Sequence, residues 1–192
     1  MKAITTTIKE IKAVLKDNAS EKDKAFFTKM VPGTQTIYGV KTPVLNDLAK
    51  KYKEGSFELA EALWHAGSQE ERVIAIKIME KKGKTDPQRL LRLFKEFSTT
   101  IGNWAVCDGL GMQFLRSIVK THRDEIFAVA DKFNRSSNMW QRRLSLVMLE
   151  WYTRHSDNHA AIKKLTAALE KDDEYYVKKA VVWIKRNLAG GK

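Results

Sequence analysis

A nine-residue stretch, 103–111, carries the side chains best suited to chemistry, and it reads Asn-Trp-Ala-Val-Cys-Asp-Gly-Leu-Gly. Trp104 and Asp108 are four residues apart, so on a helix they project from one face, one above the other. An indole face attracts a cation, and a carboxylate stabilises one electrostatically. The pair therefore predicts a site that acts on a cationic centre.

Two glycines, Gly109 and Gly111, follow this pair. A glycine inside a helix costs roughly 1 kcal/mol relative to alanine, so two of them within three residues need a reason. We expect a bulky group to approach the backbone there. Cys107 lies on the apolar stripe that continues through Leu110 and Phe114, and we predict that it is a small core residue.

The chain as a whole is basic, with 35 Lys and Arg against 23 Asp and Glu in 192 residues and a net charge of +12. This balance is typical of proteins that bind nucleic acid or another anionic surface, although a soluble protein that is merely basic would show it too. Residues 135–192 hold twelve Lys and Arg against six acids, whereas residues 61–134 hold twelve against ten. We therefore expect a polyanionic ligand near the later helices.

The composition also narrows the class of protein. A single cysteine rules out an intramolecular disulfide and is typical of a reducing compartment. The N-terminal residues lack the apolar core of a signal peptide, and no apolar run approaches the roughly 18 residues of a membrane span. We predict a cytoplasmic protein with no membrane partner.

Apolar residues recur with a helical period along the whole chain, and no segment shows strand alternation. About eleven helices are expected, among them one from Trp104 to about Val119 and one from Trp140 to Thr153 capped by Ser137. They pair as hairpins of roughly 35 to 40 residues, the period of HEAT-type repeats. The sequence predicts an all-α fold, an α-α superhelix (solenoid) of HEAT-like helical hairpin repeats in a single domain, 1–192. A compact helical bundle is the alternative, and a monomer is expected.

Two later helices combine aromatic and basic residues. The first places Arg142 and Arg143 just after Trp140, which lies four residues before the core residue Leu144 and is therefore predicted to be a packing residue. The second places Lys179 and Trp183 four residues apart, off a core stripe that consists of Val177, Ala180, Val181, Ile184 and Leu188. Lys179 and Trp183 can therefore face a ligand.

Taken in order, these elements resemble the DNA alkylation repair enzyme family, the AlkD-like DNA glycosylases built from HEAT-like repeats. No single element is diagnostic, but the ordered set is fairly specific and covers most of the chain. The matching elements are Gly39-Val40-Lys41-Thr42-Pro43, Leu63-Trp64 with Glu71-Arg72, Trp104 with Asp108, Trp140 with Arg143, and the segment from Tyr176 to Trp183.

The resemblance implies removal of N3- or N7-alkylated purines from double-stranded DNA. In that reading Asp108 matches the catalytic aspartate, and Trp104 and Trp183 match aromatic residues that pack on the sugar of the damaged nucleotide. Arg143 matches a basic residue that holds the DNA backbone beside the lesion. The further residues expected to bind DNA are Arg142, Lys178, Lys179, Lys185 and Lys41.

The implied chemistry needs no cofactor and no metal. An alkylated purine of this kind is already cationic, so it leaves without a general acid, and one carboxylate can stabilise the sugar cation that develops. His155 and His159 could place two imidazoles on one metal, but no third ligand is evident.

Two other functions stay open. Relatives on this scaffold that bind structured or branched DNA without excising bases suggest a non-catalytic DNA-binding protein. A HEAT-type scaffold for an acidic protein partner is a further alternative, but it gives no account of Asp108 among aromatic residues. Taken alone, Asp108 would be read as a helix cap or a solvated acid.

Overall fold

A computed structural model describes residues 2–33 and 36–190 of the chain. All regular structure within these residues is helical and none of it is strand, which confirms the all-α prediction. Short 3₁₀ turns lie between several of the helices. The α-helices of the described residues are α1 (Lys2–Asp17), α2 (Glu21–Met30), α3 (Thr42–Lys51), α4 (Phe57–Ala66), α5 (Gln69–Lys82), α6 (Pro87–Phe97), α7 (Trp104–Gly109), α8 (Arg123–Asn134), α9 (Met139–Val147), α10 (His159–Ala168) and α11 (Tyr175–Ala189).

The chain divides into two compact units, residues 1–93 and residues 94–192. Each unit has its own buried apolar residues, and each is described by itself below. The single domain predicted for 1–192 and the curved stacking of its hairpins both stay predictions.

In the first unit, α4 and α5 form a hairpin whose second helix begins with a complete capping box. The Ser68 hydroxyl accepts from the backbone N–H of Glu71, and the Glu71 carboxylate accepts from the backbone N–H of Ser68. The neighbouring Glu70 is buried, and its carboxylate accepts the backbone N–H groups of residues 38–40 at 2.8 to 3.2 Å. Glu70 therefore fixes the loop that leads into α3.

Gly39, in the centre of that loop, is required by its backbone. Its φ is +81°, and a Cβ added there would lie 2.4 Å from the carbonyl oxygen of Ser20. Only glycine fits such a position without strain.

The second unit is built around α9, which packs against α7, α8 and α11. Four phenylalanine rings meet in its core with centroids 5.7 to 6.3 Å apart, namely Phe94, Phe97, Phe114 and Phe133. Trp140 is buried, in agreement with the prediction that it is a packing residue. The phenylalanines lie on α6, on α8 and in the turn after α7, while Trp140 of α9 stacks on Tyr176 of α11. Helices α7, α9 and α11 carry the predicted site residues.

Two predicted helices of this unit are wrong in their bounds. The helix from Trp104 is predicted to reach about Val119, but its α-helical part ends at Gly109. A π-helical turn, Leu110–Phe114, and irregular turns follow it. Helix α9 ends at Val147 instead of Thr153. Its cap is Asn138, not Ser137, because the Asn138 side chain accepts the backbone N–H of Trp140 at 2.8 Å.

No helix within the described residues combines the length and the apolar character that crossing a membrane would require.

Candidate active site

Helix α7 presents Trp104 and Asp108 from one side, as their spacing predicts. The helix begins at a buried Asn103, whose side chain accepts the backbone N–H of Val106 at 3.0 Å. This cap fixes the first turn and therefore the direction of Trp104. The change to a π-helical turn directly after Gly109 ends the helix within two residues of Asp108, and such turns are frequent at functional sites.

Gly111 shows what approaches the backbone after this pair. A Cβ at Gly111 would lie 2.7 Å from Cγ1 of Val147 and 3.1 Å from Cδ1 of Leu144, both on α9. The bulky group expected at this glycine is therefore a neighbouring helix. Cys107 is fully buried, as predicted for a core residue, and its thiol contacts the carbonyl of Trp140 on α9 at 3.7 Å.

Asp108 is held by Arg143 of α9. The guanidinium donates from Nε to Oδ1 at 3.0 Å and from Nη2 to Oδ1 and Oδ2 at 2.8 and 2.9 Å. Its remaining Nη1 donates to the Tyr176 carbonyl at 2.7 Å, so the arginine joins α7, α9 and α11. The Arg143 side chain is only 9% exposed and that of Asp108 is 21% exposed.

Two opposing effects set the ionisation of Asp108. Burial raises the pKa of the carboxyl above its ordinary value, and the charge and hydrogen bonds of Arg143 lower it without cancelling that rise. Each carboxylate oxygen can accept more than one hydrogen bond, and Oδ2 accepts a single one from Arg143. Asp108 therefore keeps acceptor capacity toward solvent or a ligand.

An open cleft of about 330 Å³ lies in front of this ion pair. We call it the aspartate cleft, and it is lined by Trp104, Asp108, Arg143, Tyr175, Tyr176, Lys179 and Trp183. The Trp104 and Trp183 side chains are half-buried, and both line the cleft. The arrangement places one carboxylate among aromatic faces, which suits a ligand with a cationic centre.

Tyr175 and Tyr176 line the cleft but are not among the site residues predicted from the sequence, although Tyr176 begins the segment that resembles the family. Tyr176 stacks on Trp140 with ring centroids 5.2 Å apart, while Tyr175 is 62% exposed with the ammonium of Lys179 5.4 Å from its ring centroid. The available signal was that Tyr175 lies four residues before Lys179 and eight before Trp183, on one helical face. Tyr175 adds a third aromatic ring to the ligand side of the cleft.

The other predicted DNA-binding residues are differently placed. Arg142 is tied to Asp172, with Nε and Oδ2 2.6 Å apart, and to the carbonyls of residues 136 and 137. Lys185 pairs with Glu170 at 2.6 Å. Lys178 is exposed on α11, and Lys41 is exposed in the first unit, directly before α3. Of the five lysines and arginines other than Arg143, only Lys179 lines the aspartate cleft.

Within the described residues, no three side chains of His, Cys, Asp or Glu come together as a metal site would require. His159 bonds through Nε2 to the Thr153 carbonyl at 2.8 Å, and the His155 ring lies 4.6 Å from that of Trp151. Local structure thus accounts for both imidazoles.

Comparison with known proteins gives the family. A solved structure of a predicted DNA alkylation repair enzyme from Enterococcus faecalis is similar, with a TM-score of 0.77 and 19% identity over 91% of this chain and 84% of that chain. At that identity the likeness shows a shared fold. No curated protein matches the sequence. The family model for DNA alkylation repair enzymes matches residues 11–191, and the chain therefore belongs to that family.

Proposed function

We propose that this protein is a DNA glycosylase that excises cationic N3- or N7-alkylated purines from duplex DNA. The observation that carries the proposal is the aspartate cleft, in which the partly exposed Asp108 carboxylate lies among Trp104, Tyr175 and Trp183. Family membership supplies the class of substrate, alkylated DNA. The carboxylate and the aromatic rings are complementary to the lesion, because an alkylated purine carries a positive charge that moves onto the sugar during the reaction.

The reaction divides into two steps. The bond between C1′ of the sugar and the purine nitrogen breaks, and its electron pair goes to the purine, which becomes neutral as it leaves. The sugar takes over the positive charge, which Asp108 stabilises at its exposed edge. A water then adds to C1′ and loses a proton, leaving an abasic site. No step needs a general acid, because the base departs uncharged.

Arg143 is a positioning residue in this account. Its three hydrogen bonds fix both oxygens of Asp108, and its fourth ties the pair to α11. A rigid fork of this kind holds a carboxylate in one orientation, which a flexible ammonium cannot do. The family resemblance also implies that Arg143 contacts the DNA backbone, and such a contact would involve the exposed 9% of its side chain.

The wider arrangement is part of the proposal. We infer that the helical hairpins form a HEAT-like superhelix, on the grounds of the hairpin period and the family. Trp104 and Trp183 would pack on the sugar, and Lys178, Lys179, Lys185, Arg142 and Lys41 would contact phosphates. The protein would act in the cytoplasm as a monomer.

One observation favours a non-catalytic DNA-binding protein instead. Arg143 compensates the charge of Asp108, and a compensated carboxylate attracts a cation less strongly than a free one. In that case the pair would only join α7 to α9, and the cleft would hold DNA without breaking a bond.

Base release separates the two functions. We expect wild-type protein to release N7-methylguanine and N3-methyladenine from duplexes that carry one lesion. Hypoxanthine, which is uncharged and would need a general acid, should stay in place in a matched duplex. Binding of all three duplexes without release of any base would establish the binding protein and refute the glycosylase.

A further inference from the structure

The first unit holds a second open cleft, of about 420 Å³, between α3 and α5. We call it the lysine cleft, and its charged and polar lining consists of Asn46, Lys50, Lys53, Lys77, Glu80 and Lys81. Four of these six side chains are ammonium groups. No aromatic ring lines it, in contrast to the aspartate cleft.

The lysines come from two parts of the chain. Lys50 is in the last turn of α3 and Lys53 lies two residues beyond the end of that helix, whereas Lys77 and Lys81 are four residues apart on α5. Lys77 and Lys81 are therefore neighbours on one helix surface, where two like charges are unfavourable by themselves, and Lys50 and Lys53 add two more positive charges to the same cleft. Among the described residues, no carboxylate forms an ion pair with any of these four lysines.

Helix ends account for only part of this clustering. Cations are favoured in the last turn of a helix, where the macrodipole contributes about half a negative charge. That covers Lys50 and Lys81, but Lys77 lies before the last turn of α5. Four positive charges against Glu80 and two helix ends leave a net charge of about +2 facing the cleft.

We propose that the lysine cleft binds the phosphodiester backbone of duplex DNA and does so without regard to sequence or damage. Lysine ammonium groups act on phosphates as mobile point charges, and contacts to phosphate position a protein on DNA without reading bases. The absence of aromatic rings from the lining excludes stacking on a base there. The inference rests on the proposed function in one respect, that DNA is the ligand.

The lysine cleft thus supplies affinity and the aspartate cleft supplies the reaction. Binding to phosphates releases counterions, and the logarithm of the binding constant falls with the logarithm of salt concentration by about 0.9 for each phosphate neutralised. Losing all four lysines should therefore reduce that slope by up to about 3.6.

The test replaces Lys50, Lys53, Lys77 and Lys81 together by Gln, which keeps most of each side chain. The control replaces Lys120, Lys132, Lys163 and Lys164 by Gln, four exposed lysines outside both clefts. Each variant loses the same net charge. Affinity for an undamaged duplex is measured over a series of salt concentrations, and thermal unfolding confirms that both variants fold.

We expect the cleft variant to bind at least tenfold more weakly at low salt, with a smaller salt slope, while the control stays within about twofold of wild type. Equal losses of affinity in the two variants would show that net charge alone causes the effect, and would overturn the inference. A salt slope in the cleft variant equal to that of wild type would overturn it as well. Base release by wild type is scored separately. If wild type releases no base but the cleft variant loses salt-dependent binding, the lysine cleft stands and the glycosylase does not.

Discussion

The two clefts use charge in opposite ways. Around the aspartate cleft the charges are interlocked, since Arg143 holds Asp108 and Arg142 holds Asp172. In the lysine cleft four ammonium groups stand around a single carboxylate, that of Glu80, and none of the four is in an ion pair within the described residues. Interlocked charges fix geometry, as a reaction at one atom requires, whereas unpaired charges on flexible stems suit a ligand that repeats along its length. Under the proposed function, the difference assigns the reaction to the aspartate cleft and the affinity for DNA to the lysine cleft.

The largest effect on stability should come from breaking the interlocked pair. Asp108→Ala leaves the buried Arg143 guanidinium without its carboxylate, and removing one partner of a buried pair typically costs about 3 kcal/mol. Lys81→Ala, in the lysine cleft, removes a like-charge neighbour of Lys77 and should change the free energy of unfolding by less than about 0.5 kcal/mol. Urea unfolding of both variants measures the two values, and similar values would remove the contrast between the clefts.

Much of this site could be predicted from the sequence, because the relevant residues lie close together along the chain. The spacing of Trp104 and Asp108, and that of Lys179 and Trp183, places each pair on one helical face, and the structure brings all four residues to one cleft. The pairing of Arg143 with Asp108 joins positions 35 residues apart and leaves no periodic trace in the sequence. For the same reason the close approach of Val147 to Gly111, and the early end of α7, could not be derived from local propensity.

Arg143→Lys should lower the rate of base release by roughly tenfold. Lysine keeps the positive charge but cannot reproduce three hydrogen bonds to two oxygens, so Asp108 would lose its fixed orientation. Lys77→Arg in the lysine cleft is the matched exchange, and it should leave the single-turnover rate unchanged. If Arg143→Lys instead weakened DNA binding at an unchanged rate, the arginine would be a backbone contact and not a positioning residue.

The rate of base release should fall at acid pH with the titration of Asp108. Burial raises the pKa of this carboxyl above its ordinary value, and only the ionised form stabilises a cation, so the rate is lost as the pH falls through that raised value. Stability has the opposite sign, because a raised pKa means that the folded state binds the proton more tightly than the unfolded state does. That contribution is lost as the pH rises. Single-turnover rates between pH 4 and 8 test the profile, which a midpoint at or below the ordinary Asp value would contradict.

The smallest effect should be at Tyr175. Tyr175→Phe keeps the exposed ring and its contact with Lys179, so base release should stay within about twofold of wild type. Tyr175→Ala removes the ring and should weaken binding of the lesion duplex by about threefold to tenfold, the range expected for one aromatic contact. Gel-shift affinities decide the matter, and equal affinities for the two variants would place Tyr175 outside the ligand.

The most direct test of the account is the single-turnover release of N7-methylguanine by wild type and by Asp108→Asn at saturating protein. Asparagine keeps the shape of the side chain and an oxygen for Arg143 but carries no charge. We predict a rate at least 100-fold below wild type, with the affinity for the lesion duplex within a few-fold. Equal rates for the two proteins would show that the Asp108 charge takes no part in the reaction, and the proposed mechanism would be wrong.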